Sequence, residues 1–300
     1  MDLQTAHKSV LLHEVIDGLS FRDGDVFVDG TLGGGGHTES ALGVVKDIKV
    51  FGFDRDRDAL ARSEARLSGK GDVTYINESF RGMDTVLQQR GITSVDKVLL
   101  DLGLSSDQFE SSGRGFTFQK DEPLLMTMKA KLEPADLTAR TIVNTWEAEN
   151  IETILTSYGE ERFARRIATT IVQAREKTPI ETTFQLVEII KRATPFAYHR
   201  GRIHPATKTF QALRITVNDE IGALMSGLDK GFRLLRSKGR MAVISFHSLE
   251  DRVVKQFFRK QSDEGYGILI TKRPLVASEE EVKENPRSRS AKLRIVEKIS

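Results

Sequence analysis

The sequence predicts a doubly wound α/β sheet with an inserted helical domain, and three observations support this fold class. Short apolar runs alternate with helical patterns at residues 25–30, 49–54, 73–79 and 95–103, a spacing typical of parallel strands joined by helices. Helical periodicity then continues with few strand signals to about residue 200. Strand character returns at residues 239–248, and the runs GILITKRP and AKLRIVEKI predict two closing strands.

These patterns predict three segments. We expect residues 1–110 and 204–300 to form the first and second parts of one α/β domain, and residues 111–203 to form the inserted helical domain, with a role in substrate recognition. The acid-rich segment SEEEVKENPRSRS, residues 278–290, is expected to be a flexible connection between the closing strands.

Composition excludes several classes of protein. The chain has 300 residues, 39% of them hydrophobic, and no cysteine. Disulfides, thiolate zinc sites, iron-sulfur clusters and a cysteine nucleophile are therefore ruled out, and the sequence implies no metal. It shows neither an apolar run of about 18 residues nor a signal-peptide pattern at its start. We expect a soluble cytoplasmic protein without a membrane partner; a homodimer is compatible with the sequence, which does not determine oligomeric state.

The positive charge is unevenly distributed. The net charge is only +2, but residues 159–215 hold eleven Lys and Arg against five acids, and residues 285–300 hold five against Glu297 alone. Clusters of this kind suit nucleic-acid binding. Taken alone, however, the clusters are explained more simply by a solvated basic helix surface.

A glycine-rich loop follows the first predicted strand. The strand ends at Asp29 and continues Gly30-Thr-Leu-Gly-Gly-Gly-Gly36-His37 before a helix. Glycines let a ligand approach the backbone, and the amides of a helix N-terminus suit a carboxylate or phosphate. A phosphate-loop NTPase needs Lys and then Ser or Thr after the glycines, and the chain has His37 there. A purely structural tight turn remains an alternative.

An acid ends the second predicted strand. Asp54 lies nineteen residues after Gly35, at the distance expected of an acid that binds a ribose diol. Alternatively, Asp54 caps the helix predicted over residues 55–65. The two motifs together indicate a cofactor that carries adenosine, and both NAD and S-adenosylmethionine satisfy them.

Asp101 ends the fourth predicted strand, beside Gly103, Ser105 and Ser106. This position is at the edge where doubly wound sheets bind ligands. A carboxylate there lies beside the cofactor and favours S-adenosylmethionine over NAD.

The chain resembles the bacterial 16S ribosomal RNA cytosine-N4 methyltransferases, the RsmH or MraW family, over nearly its whole length. The resemblance implies a Rossmann-like class I methyltransferase sheet, S-adenosylmethionine as cofactor, and 16S rRNA, within the small ribosomal subunit near the decoding centre, as substrate. It rests on the opening His7-x-Ser9-Val-Leu-Leu-x-Glu14 and on the blocks DGTLGGGGH, FDRD, DLGLSSDQ, GRGFTF, YGEERFARRIA, HPATKTFQALRITVNDE, SFHSLEDR and NPRSRSAKLR.

The resemblance also implies site residues. Asp101 would be catalytic, as the acceptor that holds an N–H of the cytosine amine, whose lone pair is delocalised into the ring. Phe80 would pack beside adenine, although a core residue is the simpler interpretation, and His247 is a secondary candidate that is more simply structural. The implied cofactor-binding residues are Gly35, Gly36, His37, Asp54, Phe80, Asp101 and Gln108.

Contacts to RNA form a second layer of predictions. A target base must leave its stack before its amine can reach the methyl group. The candidates for stacking on it are Phe109, Phe116, Phe118 and Phe246, with core packing as the alternative. The candidates for phosphate contacts are Arg162, Arg165, Arg166, Lys208, Arg214, Arg287 and Arg289.

The sequence departs from the family pattern in one run. Relatives carry Pro-Leu-Asp-Met-Arg-Met-Asp, whereas this chain has Leu125-Met-Thr-Met-Lys129 after Pro123-Leu124. An alternative function follows: a weak or inactive family member that acts as an RNA-binding ribosome assembly factor. An NAD-dependent oxidoreductase would explain the loop and Asp54 but not the C-terminal blocks.

Overall fold

The computed structural model describes residues 8–103, 112–129, 131–201 and 203–300. The chain divides into two compact units. Unit 1 runs to Gly103 and resumes at Ile221, and unit 2 ends at Glu220.

Unit 1 contains a seven-stranded sheet in the described residues, with strand order β3-β2-β1-β4-β5-β7-β6. Strands β1 to β5 pair in parallel, and β7 lies antiparallel between β5 and β6. This topology confirms the predicted doubly wound α/β fold and its closing strand pair. The strands are β1 (Val26–Asp29), β2 (Lys49–Phe53), β3 (Asp72–Ile76), β4 (Val95–Asp101), β5 (Leu235–Ser245), β6 (Gly267–Leu269) and β7 (Lys292–Lys298).

The helices fill the connections. None that the structure describes is long and apolar enough to cross a membrane. In chain order they are α1 (Leu12–Leu19), α2 (Gly36–Val44), α3 (Arg57–Leu67), α4 (Met83–Gln88), α5 (Ala139–Thr145), α6 (Ala148–Ser157), α7 (Ala164–Arg175), α8 (Thr183–Ala193), α9 (Phe196–His199), α10 (Thr207–Asn218), α11 (Glu220–Leu234), α12 (Ser248–Asp263) and α13 (Glu279–Glu284).

The central strand β4 is buried on both faces, which is why it reads as a continuous apolar run. Successive side chains of a strand point to opposite faces. Val98 and Leu100 therefore join the core cluster that contains Leu228 of α11. Leu99 joins the cluster that contains Val15 of α1. The carboxyl end of β4 is thereby fixed from both sides, and with it the position of Asp101.

Unit 2 is helical in its described residues and has its own core. Ile142, Leu155, Ile167 and Leu186 pack together there, and Leu213 of α10 packs with them. The sequence pattern predicted boundaries after residues 110 and 203, which placed residues 204–220 in the α/β domain. The structure divides the chain after residues 103 and 220, because the apolar face of α10 is buried in the helical core.

The run that departs from the family pattern is part of this core. Leu124 and Met126 are buried, and the Leu124 amide donates to the Glu181 carbonyl at 2.9 Å. Asn218, at the end of α10, holds the run at two points: its Nδ2 donates to the Met126 carbonyl and its Oδ1 accepts from the Met128 amide, both at 2.8 Å. The positions that depart from the family pattern are Leu125, Thr127 and Lys129, so these contacts hold the run in place but do not explain the departure.

Replacing Asn218 with alanine is expected to lower the free energy of unfolding by about 1–3 kcal/mol, because a buried carbonyl and a buried amide lose their partner. Thermal or urea unfolding followed by circular dichroism measures the change. The matched control is Asn150→Ala on the exposed face of α6, which is expected to stay within about 0.5 kcal/mol of the parent. Equal losses of unfolding free energy in the two variants would show that the hydrogen bonds of Asn218 do not stabilise the run.

The segment 278–290 is folded, so the prediction of a flexible connection is wrong. Ser278 caps α13 by accepting from the Glu281 amide, and residues 286–290 form a 3-10 helix. Glu281 Oε1 accepts from the Leu11 amide at 2.8 Å, and Asn285 Nδ2 donates to the Lys8 carbonyl at 3.1 Å. These contacts with a segment 270 residues away in the chain give the acid-rich stretch its order, and local composition does not reveal them.

Candidate active site

The glycine loop lies between β1 and α2 at the carboxyl edge of the sheet. Gly35, the residue before α2, has φ +74°, a left-handed conformation that favours glycine. Gly36 is required for a different reason: a Cβ there would lie 2.1 Å from the Ser9 hydroxyl oxygen. The loop is thus packed against the N-terminal segment and offers the amides of the α2 N-terminus to a ligand.

Asp54 follows β2 and is tied to this loop. Its Oδ2 accepts from the Gly33 amide at 2.9 Å, and its Oδ1 accepts from the Asp56 amide at 2.8 Å. The alternative that Asp54 caps the next helix is wrong, because α3 begins at Arg57 and Asp56 is its N-cap. Each carboxylate oxygen keeps a second lone pair, so Asp54 can accept from a diol while it holds the loop.

Asp29 and Asp101 end the adjacent strands β1 and β4. Asp29 is buried and accepts from the Thr38 hydroxyl at 2.8 Å, and burial raises its pKa to about 6. Burial, reinforced by the charge of Asp29, raises the pKa of Asp101 to about 8, although Arg287 opposes the shift. The side chain of Asp101 is 21% exposed. A substrate can therefore reach a carboxyl that holds its proton at neutral pH.

Thr31 links the two strand ends. Its amide donates to Asp29 Oδ1 at 3.2 Å, and its hydroxyl accepts from the Asp101 amide at 2.6 Å. Sequence analysis did not nominate Asp29 or Thr31. The signal for Asp29 was present, because it ends its strand directly before the glycine loop as Asp101 ends β4, but its burial and raised pKa depend on packing across the sheet.

His37 connects the N-terminal segment with Asp101. Its Nε2 lies 3.1 Å from the Val10 carbonyl, which can only accept, so Nε2 carries the proton. Its Nδ1 lies 3.9 Å from Asp101 Oδ2, and the ring is buried. This arrangement orients His37 toward the carboxyl end of β4.

Phe80 begins a 3-10 helix after β3. Its ring is partly buried beside the core cluster of unit 1, and it packs so closely on α11 that a Cβ at Gly227 would lie 2.5 Å from Cδ2 of the ring. The ring is thus held by the core while part of it stays exposed, which suits packing beside a planar group. Two other predicted residues, Gln108 and Phe109, lie outside the described residues.

His247 is a helix cap. Its Nδ1 accepts from the Glu250 amide at 3.3 Å, and the Glu250 side chain accepts in return from the His247 amide at 3.4 Å. This capping box supports the structural interpretation of His247.

The predicted stacking residues are mostly enclosed. Phe116 is 4% exposed in the core of unit 2. Phe118 stacks on His204 with ring centroids 4.4 Å apart. Phe246 lies against Gly103, where a Cβ would approach its ring to 3.3 Å. Phe116 therefore has no free face for a base, and one face of Phe118 is covered.

The predicted phosphate contacts fall into two groups. Arg214 makes two hydrogen bonds to Glu220 at 2.9 and 2.8 Å, and Lys208 donates to the Glu160 carbonyl at 2.8 Å. Arg287 lies close enough to Asp101 to lower its pKa. The others are exposed: Arg162, Arg165, Arg166 and Arg289.

The residues present fit S-adenosylmethionine. Asp54 offers acceptors for a ribose diol, the α2 N-terminus offers amide donors for a carboxylate, and Phe80 offers part of an aromatic face. The strand order places the ends of β2, β1 and β4 side by side, so these groups and Asp101 share one edge of the sheet.

The chain is similar to proteins of a known family. A model of the MraW methylase family matches residues 4–299. Ribosomal RNA small subunit methyltransferase H of Deinococcus deserti is 50% identical over 295 residues, 98% of this chain and 93% of that protein. The protein of the same name from Deinococcus radiodurans is 49% identical over 297 residues, 98% of this chain and 90% of that protein. A solved rRNA methylase from Streptococcus thermophilus is 13% identical and covers 97% of this chain and 93% of its own, with a TM-score of 0.44.

Proposed function

Since the chain belongs to the MraW methylase family, we propose that it methylates the exocyclic N4 amine of a cytidine in small-subunit (16S) ribosomal RNA. The methyl donor is S-adenosylmethionine. The observation that carries the proposal is the Asp101 carboxyl, partly exposed and with its pKa raised to about 8, on the edge of the sheet that holds the glycine loop and Asp54.

The cofactor supplies an electrophilic methyl group on a sulfonium. Asp54 binds its ribose, the loop at Gly35 and Gly36 binds its amino-acid end, and Phe80 packs beside the adenine. We further assign cofactor contacts to His37, Asp101 and Gln108. His37 and Asp101 lie within reach of each other through Nδ1 and Oδ2, 3.9 Å apart.

Asp101 handles the proton of the amine. As a carboxylate it accepts a hydrogen bond from the cytosine N–H, which localises the nitrogen lone pair toward the methyl group. A nitrogen–carbon bond forms, the bond from carbon to sulfur breaks, and the amine proton passes to Asp101. The rest of the rate enhancement is positioning of the two reactants.

The activity should depend on pH through Asp101. Below its raised pKa the carboxyl is protonated and cannot take up the amine proton, so kcat/KM is expected to rise with pH, to reach half its maximum near pH 8 and to level off above that pH. Initial rates of methyl transfer between about pH 6 and pH 9 test this prediction. A flat profile in the parent protein would argue against Asp101 as the acceptor.

We place the protein in the cytoplasm and propose that unit 2 recognises RNA within the small ribosomal subunit. The alternative of a non-catalytic assembly factor rested on residues 125–129. The retained Asp54, Asp101 and glycine loop, together with the match to rRNA methyltransferases over nearly the whole chain, favour the enzyme over that alternative.

Methyl transfer from labelled S-adenosylmethionine tests the proposal directly. The substrate is small ribosomal subunits that lack the modification, and free 16S rRNA is assayed in parallel. Nucleoside mass analysis is expected to find the label on the cytosine N4 amine. Label on another nucleoside would refute the target, and bound cofactor without any transfer would favour the assembly factor.

A further inference from the structure

Unit 2 carries a group of arginines stacked on aromatic rings. The Arg162 guanidinium lies 4.7 Å from the centre of the Phe163 ring and 4.9 Å from that of Tyr198. The Arg200 guanidinium lies 4.7 Å from the Phe196 ring. We call Arg162, Phe163, Phe196, Tyr198 and Arg200 the aromatic-arginine patch.

Buried contacts hold the first half of the patch in place. Tyr198 donates its hydroxyl proton to Glu161 Oε2 at 2.6 Å, and the Phe163 amide donates to Glu161 Oε1 at 2.9 Å. Glu161 itself is only 3% exposed. Its carboxylate is thus engaged inside unit 2, while the Arg162 side chain is exposed on the rings. The patch is preorganised by contacts beneath it.

The second half of the patch is unusually open. Phe196 is 68% exposed, and its stacked neighbour Arg200 is also exposed. A single exposed aromatic residue would need no explanation. Here two separate guanidinium groups lie on aromatic rings, and residues 196–200 contribute to both contacts. This arrangement indicates a surface built for planar, negatively charged partners.

The surroundings are positively charged. Arg165 and Arg166 are exposed on the same helix, α7, and Arg166 lies 5.9 Å from the Phe163 ring. Two more basic residues, Lys191 and Arg192, lie in the last turn of α8. This positive field favours a negatively charged partner and disfavours a basic or a purely apolar one.

We propose that the aromatic-arginine patch binds unpaired nucleotides of RNA, with bases stacking on the exposed aromatic and guanidinium faces and arginines contacting phosphates. Proteins bind single strands by stacking the bases on aromatic rings and arginines and by contacting the backbone along a positively charged surface. In a duplex the faces of the bases are stacked on each other. A duplex can therefore contact the arginines through its phosphates but cannot stack its bases on the aromatic rings. The inference rests on the proposed function only for the identity of the RNA as ribosomal.

Unit 2 offers matched controls for the test. Phe184 is 43% exposed at the opposite end of α8 from Phe196, so Phe184→Ala controls for Phe196→Ala. Arg140 is exposed and pairs with Glu181 at 3.0 Å, so Arg140→Ala controls for Arg200→Ala. Arg162→Lys keeps the charge and removes the planar group. Fluorescence anisotropy with a short single-stranded RNA, without cofactor, measures affinity separately from methyl transfer.

Phe196→Ala and Arg162→Lys are each expected to weaken binding of the single strand by about tenfold, whereas Phe184→Ala leaves it unchanged. Arg200→Ala should lower the slope of log affinity against log salt by about 0.7, and Arg140→Ala should not. With small ribosomal subunits as substrate, the patch variants are expected to show a higher KM and an unchanged kcat.

Equal effects of the Phe196 and Phe184 variants would overturn the proposal, as would unchanged RNA affinity together with a changed oligomeric state, which would assign the patch to a second copy of this chain. Loss of single-strand affinity in the patch variants would support the patch even if no methyl transfer occurred. The binding measurement therefore tests the patch independently of the proposed methyltransferase function.

Discussion

Asp101→Asn is expected to lower the rate of methyl transfer at saturation by at least about 100-fold while S-adenosylmethionine binding stays within about tenfold of the parent. The amide nearly matches the carboxyl in size, but it cannot take up the amine proton. Single-turnover rates on small ribosomal subunits and calorimetric cofactor titration measure the two quantities separately. Equal rates in variant and parent would remove Asp101 from the chemistry.

Misfolding is not expected to explain that loss. The pKa of Asp101 in the folded protein is about 8, above its ordinary value, so the folded state binds this proton more tightly than the unfolded chain. The carboxyl therefore costs stability as the pH rises from about 4 to about 8. Asparagine removes that cost, and Asp101→Asn should melt no lower than the parent at pH 8.

A surface variant completes the comparison. Asp84, on α4, is 37% exposed and pairs with Lys230 at 2.7 Å. Asp84→Asn makes the same side-chain change in unit 1 away from the strand ends, so its transfer rate should equal that of the parent. A rate loss shared by both variants would show that the loss is not specific to Asp101.

The sequence predicted the parts of the site that depend on chain order. Parallel strands joined by helices bring their carboxyl ends to one edge of the sheet. Chain order alone therefore predicted that Asp54 and Asp101 lie at the same edge as the glycine loop. The apolar run at residues 95–103 also predicted the strand that the structure shows as β4. These inferences succeeded because periodicity and strand ends are local features.

The features that were missed depend on contacts between distant segments. The raised pKa of Asp29 arises from burial at the end of β1, beside β4, which follows it by some seventy residues. The order of residues 278–290 comes from Lys8 and Leu11. The predicted boundary after residue 203 differs from the structural one because the helical periodicity of α10 does not show to which unit the helix belongs. Only packing shows that Leu213 enters the core of unit 2.

Asp54→Ala is expected to weaken cofactor binding strongly. Loss of a hydrogen bond to a charged acceptor costs about 1.5–3 kcal/mol, which is roughly 10- to 150-fold in affinity. Because Asp54 also holds the Gly33 and Asp56 amides, the loop itself loosens, and the upper part of that range is expected. Asp54→Asn, which keeps one acceptor oxygen, should fall between the variant and the parent.

The measurement is equilibrium binding of S-adenosylmethionine and of S-adenosylhomocysteine, both of which carry the ribose. The control is Asp58→Ala, an exposed acid on the first turn of α3, whose affinity should match the parent. If Asp54 binds the ribose, both ligands lose affinity by the same factor, and a 2′-deoxyribose analogue, which binds the parent more weakly, binds Asp54→Ala as well as the natural ligand does. Unequal factors, or continued discrimination against the deoxy analogue, would mean that Asp54 acts only by shaping the loop.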